Sequence, residues 1–198
     1  ELKTLSTVKP INYKVAAAPT TLQGFNPTGD ALALVLDDNT YYSATGTSEP
    51  PAVIFEVTSE VIKFPTVSFG EIKVVAQSSK SSTKLEAFIF NPQDTAHSQN
   101  GYNPIADATM ILELAFTEQV FAVSLESADV AYLNSLTTKT LKAKIRATRT
   151  GGFRLDVDQV LFIMAGVVTI DQRDIQDTPP LVTAGTVSSG TQTDLKND

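Results

Sequence analysis

From Ala31 onward, apolar and polar residues alternate in short runs separated by Gly, Pro, Asn, Asp and Ser. Alternation with a period of two gives a strand one apolar and one polar face, and closely spaced runs with turn residues between them indicate a β-sandwich. Nine strands are expected, near 31–36, 39–44, 52–58, 70–77, 83–91, 108–115, 119–125, 138–148 and 153–164. One stretch, "SADVAYLNS" from Ser127 to Ser135, fits a short helix: Ser127 can cap it, and Val130 and Leu133 fall on one side. The fold class is therefore all-β, a single antiparallel β-sandwich over 30–170.

Two strands break the simple alternation. In 153–163, Phe153, Leu155, Val157, Gln159, Leu161 and Ile163 share one face, while the other starts with Arg154, Asp156 and Asp158 and turns apolar at Val160, Phe162 and Met164. The second half of that strand is expected to be buried on both faces. In "TKLEAFIF", Lys84 and Glu86 are followed on the same face by Phe88 and Phe90, so a loop, an arm or a partner is expected to cover part of that sheet.

The flanks differ in character. Residues 1–29 hold Pro10, Pro19 and the turn from Gly24 to Gly29, which reads as an extended N-terminal arm. Residues 93–107 form a long polar loop containing Asn100-Gly101 and Asn103-Pro104, a type of segment often used for contacts. Residues 171–198 are a polar C-terminal tail. The arm carries three lysines against one glutamate and the tail five aspartates against Arg173 and Lys196, so opposite ends can attract. The first residue is Glu1, from which a processed product or fragment and an extracellular or virion-surface location are expected.

Composition narrows the chemistry. Fifteen Lys and Arg against 22 Asp and Glu give a net charge of -7, which repels a phosphate backbone and excludes nucleic acid as the expected partner. No run of about 18 apolar residues exists to enter a membrane as a helix. With no cysteine and one histidine, thiolate nucleophiles, disulfides and multi-histidine metal sites are absent. His97 is the only imidazole base, and it sits in a polar loop with no nucleophile-elbow motif in the chain.

Asp156 and Asp158 lie two apart on one strand, as paired glycosidase carboxylates can. The preceding strand, though, carries Lys142, Lys144 and Arg146 on its polar face, and "RTGG" reads as a hairpin turn between the two. Lys142 and Lys144 opposite the aspartates, as surface ion pairs, are the simpler expectation, and no enzyme is predicted. Calcium needs only oxygen ligands, and "LDDNTYY" offers Asp37 and Asp38 for a structural ion, as well as ideal turn chemistry. No other cofactor is expected.

Across about Leu36 to Phe162, "LDDNTYYSA", "VSFGEIKVVAQSSKSSTKLEAFIFN" and "SADVAYLNSLTTKTLKAKIRATRTGGFRLDVDQVLFI" together resemble the galactose-binding-like jelly rolls, of carbohydrate-binding-module type, found in secreted and phage-borne proteins. Asp158 matches the aspartate of their closing hairpin. The resemblance implies a jelly-roll topology and a non-catalytic role in carbohydrate binding, adhesion or assembly.

Two functions are then expected. The first is a structural or decoration subunit of an extracellular or virion assembly, a homo-oligomer in which the arm adds a strand to a neighbour and fills its pockets with Leu5, Val8, Ile11 or Val15. On that reading, deletion of 1–18 leaves a folded monomer. The alternative is a carbohydrate-binding module that holds a glycan with Tyr42, His97 and Tyr102, since aromatic rings stack on sugar faces. Adjacent Tyr41 and Tyr42 point to opposite faces of a strand, so only one can line a given site.

Overall fold

This computed structural model describes residues 4–5, 10–47, 50–94 and 101–169. Val8, His97 and the tail at 171–198 lie outside the described residues. The chain divides into two units. One comprises 1–5 with 169–198, and its described part includes the strand β1 (Thr4–Leu5); the other, Ser6–Val168, is the sandwich.

Along the sandwich run β2 (Ile11–Tyr13), β3 (Thr20–Gln23), β4 (Phe25–Thr28), a 3-10 turn (Leu32–Leu34), β5 (Tyr42–Gly46), β6 (Ala52–Thr58), β7 (Thr66–Ser78) and β8 (Thr83–Phe90). Then follow β9 (Tyr102–Leu112), β10 (Gln119–Ser124), the helix α1 (Ser127–Ser135), β11 (Lys142–Thr148) and β12 (Phe153–Thr169). One sheet has the order β10-β7-β12-β5-β4, with β2 also on β12; the other has the order β3-β6-β11-β8-β9. Every pairing between sandwich strands is antiparallel. The sandwich read from the alternation is thus the observed architecture, with β6 and α1 at the expected positions.

The two sheets close on a single core. Val53, Phe55, Val57, Leu85, Ala87, Ile89, Ala143 and Ile145 come from one sheet, and Tyr42, Ile72, Val74, Ala76, Leu155 and Val157 from the other. Tyr42 and Phe55 meet across the layers at 5.1 Å between ring centres. The partner rows are alternate residues of each strand, as a half-buried pleat requires.

Several expectations are corrected. Residues 31–36 are not a strand; Leu32–Leu34 form a 3-10 turn started by Asp30, whose Oδ1 accepts the Leu32 N–H at 2.9 Å. The 93–107 segment is not all loop, because β9 begins at Tyr102.

The described part of the N-terminal segment 1–29 does not hang free as an arm. From Ile11 on it supplies three strands to its own sandwich: β2 on β12, β3 on β6 and β4 on β5. Val15 is buried and bridges Ser59, so that expected pocket-filler already sits in its own core, while Ile11 pairs with Met164 and remains half exposed. Backbone groups paired within the chain are not available to extend a neighbour's sheet.

The β12 pattern also resolves differently. A bulge between Val157 and Gln159 inserts Asp158 as an extra residue opposite β7. An inserted residue reverses which side chains face the core. Phe153, Leu155 and Val157 face inward before it, and Val160, Phe162 and Met164 face inward after it; Leu161 and Ile163 lie at the half-buried outer side. The two apparent apolar faces are one face, shifted by a residue.

In α1 the cap is Glu126, not Ser127, and its side chain makes no capping bond. Asp129 in the first turn reaches back to the Glu126 backbone instead, the acidic half of a capping box. Leu133 is fully buried and Val130 packs on the core, as their shared side predicts. Asn134 ties the helix to β7: its Oδ1 accepts the Val67 N–H at 2.8 Å and its Nδ2 donates to the Val67 carbonyl at 2.7 Å. Among the described residues no helix is long and apolar enough to cross a membrane.

Candidate functional site

The strands β6, β11 and β8 lie side by side in the five-stranded sheet, and their outward positions are set by the register. Lys144 on β11 stands opposite Glu56 on β6 and Phe88 on β8; Arg146 stands opposite Ile54 and Glu86. Next along, Phe90 on β8 pairs with Tyr102 on β9. The inward neighbours Ala143, Ile145 and Ala147 are all fully buried, which holds the cations of β11 on the opposite face.

The result is a compact surface of rings and charges. The Lys144 ammonium sits 4.9 Å from the centre of Phe88 and 4.6 Å from that of Tyr102. The Arg146 guanidinium lies 4.8 Å from Phe88, and the Lys142 ammonium 5.3 Å from Phe90. Phe90 and Tyr102 meet edge to face at 5.4 Å. Each cation–ring contact contributes about 0.5–1 kcal/mol where partly exposed. The neighbouring cations lie over Phe88, while Phe90 is covered by Lys142 and, from the turn before β9, by Gly101, where an added Cβ would come within 2.6 Å of the ring.

Two carboxylates thread between the cations. Glu86 takes Lys84 at 2.9 Å and Arg146 at 2.8 Å, and Glu56 takes Lys142 at 3.2 Å and the Tyr102 hydroxyl. Burial raises the Glu86 pKa, but the hydrogen bonds and charges of Lys84 and Arg146 outweigh it and hold the carboxyl below its ordinary value. Burial, then the hydrogen bond and charge of Glu56, push the Tyr102 hydroxyl upward, so it stays a neutral donor. For Lys144, burial and then the charge of Arg146 lower the pKa, partly offset by Glu56.

Of the aromatic residues expected to bind a ligand, Tyr102 belongs to this face but is buried beneath Lys144, at 8% exposure. Tyr42 does not belong to it. It is 2% exposed, in the core, with its hydroxyl 2.6 Å from Thr21 Oγ1. Tyr41 is its outward neighbour, hydrogen-bonded to Asn39 and with its pKa raised to about 12 by burial and by Glu118. Phe88, Phe90 and the β11 cations are missed as a site because the alternation shows that they share an outward face but not which strands lie beside each other.

The ion pairs expected between β11 and β12 are not formed. "RTGG" carries the chain from one sheet to the other, so Lys142 and Lys144 never face Asp156 and Asp158. Asp156 is instead gripped by Arg154 through Nε at 2.8 Å and Nη2 at 2.9 Å, by Ser43 at 2.7 Å and by Gln77 at 3.3 Å. That is how a buried structural anion is satisfied. Asp158, at the bulge, accepts the backbone N–H groups of Asp38 and Asn39 at 3.4 and 3.2 Å and so fastens the 30–40 loop over the gap between β5 and β2.

For calcium, the structure changes the expected ligand set. Carboxylate oxygens of Asp37, Glu118 and Asp158 lie within 4.8 Å of one another. Asp38 turns away, its Oδ1 accepting the Thr40 N–H at 3.0 Å. Burial, opposed by the Asn39 N–H and reinforced by Asp37, raises the Asp158 pKa. Oxygen donors of this kind suit a hard cation. Asp37 is legible in the sequence, whereas Glu118 arrives from a distant loop.

No protein-family model matches the sequence, and no curated protein sequence matches it. Solved structures do resemble it. A xylan-binding module, CBM15, is 12% identical over 80% of this chain and 97% of its own, with a TM-score of 0.49. The K3 cleaved adhesin domain of Lys-gingipain from Porphyromonas gingivalis is 12% identical over 77% of this chain and 97% of that one, at 0.44. TmCBM61, solved with β-1,4-galactotriose, is 8% identical over 76% and 86%, at 0.35.

Proposed function

We propose that this chain is a non-catalytic module that binds a glycan on the outward face of β6, β11, β8 and β9. The observation that carries the reading is the pair of half-buried rings Phe88 and Phe90 on that face, with Tyr102 packed beneath Lys144, interleaved with Glu56, Glu86, Lys142, Lys144 and Arg146. Sugar rings are amphipathic: their C–H faces stack on aromatic or guanidinium planes, and their hydroxyls bond to carboxylates and cations within the same reach. The sheet holds those groups on strands rather than loops, so little ordering is needed on binding. An extracellular setting suits such a module.

The test is a glycan array followed by calorimetric titration of the strongest hit. The wild type is expected to bind saturably, and Phe88→Ala to weaken binding about tenfold, which corresponds to about 1.4 kcal/mol. The thermal transition of the variant reports whether it remains folded. Absence of binding across the array, or full affinity in a folded Phe88→Ala variant, rejects this surface.

A further inference from the structure

On this face three of the four cations have a carboxylate partner: Lys84 and Arg146 share Glu86, and Lys142 has Glu56. Lys144, between Lys142 and Arg146 on β11, has no carboxylate within ion-pair distance among the described residues and rests on the rings of Phe88 and Tyr102. It is half-buried, at the centre of the row, with a guanidinium as its outward neighbour on the same strand. Outward residues on one strand recur about every 7 Å, so Lys142, Lys144 and Arg146 form a line of positive charge. In a chain whose net charge is -7, the described residues of this face carry an excess of cations, Lys84, Lys142, Lys144 and Arg146 against Glu56 and Glu86.

Resting on the reading of this surface as a glycan site, we infer that the ligand is an anionic polysaccharide, with a sugar carboxylate or sulfate ester received by Lys144 and flanked by Lys142 and Arg146. A half-buried cation that forms no ion pair among the described residues gains more from an incoming anion than a paired surface lysine does, because Glu56 across the strand acts on it only beyond ion-pair distance. A neutral sugar can use the rings and hydroxyl partners but leaves that charge unmatched.

The experiment compares affinities for four polymers: dextran, dextran sulfate, polygalacturonate and polyglutamate. Each is titrated against wild type and Lys144→Met, which keeps the stem against both rings. The expected result is binding of polygalacturonate or dextran sulfate at least tenfold tighter than dextran, weakened by added NaCl, and lost by tenfold or more in Lys144→Met. The two anionic sugars separate carboxylate from sulfate. Tight binding of neutral glycans with no preference for the acidic ones overturns this inference and leaves the proposed function standing. No binding to any polysaccharide overturns both. Polyglutamate bound as tightly as the acidic sugars overturns the glycan class in favour of an acidic polypeptide. Should Lys144→Met fail to fold, the dextran and dextran sulfate comparison in wild type, with its NaCl dependence, still decides the inference.

Discussion

At Asp129 a single side chain couples the helix to pH. It is nearly buried, accepts the Asn91 Nδ2–H at 3.1 Å and closes back on the Glu126 backbone. Burial raises its pKa above the ordinary 3.8, and the charges of Glu126 and Asp94 add to that against the two hydrogen bonds. The folded state therefore keeps this proton to a higher pH than the unfolded chain does. Its contribution to stability is fullest below about pH 4 and falls as pH rises through the folded pKa. Urea unfolding of wild type and Asp129→Asn across pH 3–7 should show wild type losing ground to the variant with rising pH; a difference that does not change with pH refutes the assignment. Glu86 has the opposite sign, since its two cations hold it ionised in the folded state. The loss of that pairing on acidification should lower stability as pH falls through its folded pKa. Both are ordinary carboxyls in the sequence, and it is their neighbours that shift them in opposite directions.

On the scale of elements, β12 depends on its bulge. Asp158 is the one extra residue that brings Val160, Phe162 and Met164 back to the core after Val157. Deletion of Asp158 is expected to turn those three side chains outward and abolish cooperative unfolding, whereas Asp158→Asn keeps the residue count and should retain a cooperative transition. Circular dichroism on heating distinguishes the two. Further along the same strand, a second irregularity lies between Ala165 and Gly166. A Cβ on Gly166 would come within 2.6 Å of Phe64 Cγ and also press on the Thr66 carbonyl. Gly166→Ala should cost about 1–3 kcal/mol by overpacking, read as a lower midpoint in urea. Both positions look like ordinary members of an alternating run until β7 is laid beside them.

For the whole molecule, the N-terminal residues decide what a truncation means. Tyr13 packs edge to face on Phe64 at 6.4 Å and accepts the Lys63 N–H at 3.1 Å, while Val15 fills the core beside Ser59. Removing 1–18 therefore strips β2 from β12 and two core side chains from the sandwich. A loss of about 3 kcal/mol or more is expected, since a buried aromatic alone is worth that much, and the truncated chain should melt well below wild type instead of persisting as a fully stable monomer. Tyr13→Ala checks the origin of the loss in the full-length protein. If truncation leaves the melting temperature unchanged, residues 11–18 do not belong to the core.

The all-β class, most strand positions and the short helix at Ser127–Ser135 are legible in the alternation of apolar residues, because each depends on a local period that a pleat or a helical turn imposes. The same alternation showed that Lys142, Lys144 and Arg146 share a face, and that Phe88 and Phe90 do. That these two faces are adjacent follows from the strand order of the folded sheet. Strand order follows from how sheets close over a common core, and "RTGG" can turn a hairpin within a sheet or cross between sheets with the same residues. The aspartates of β12 accordingly found Arg154, Ser43, Gln77 and the 30–40 loop as partners, and the β11 cations found rings. Glu118 beside Asp37 and Asp158, and the burial of Tyr42 rather than Tyr41, arise in the same way, from contacts between segments far apart in the chain. A local pattern records which side of a strand is wet, but the neighbours across that strand are chosen by packing.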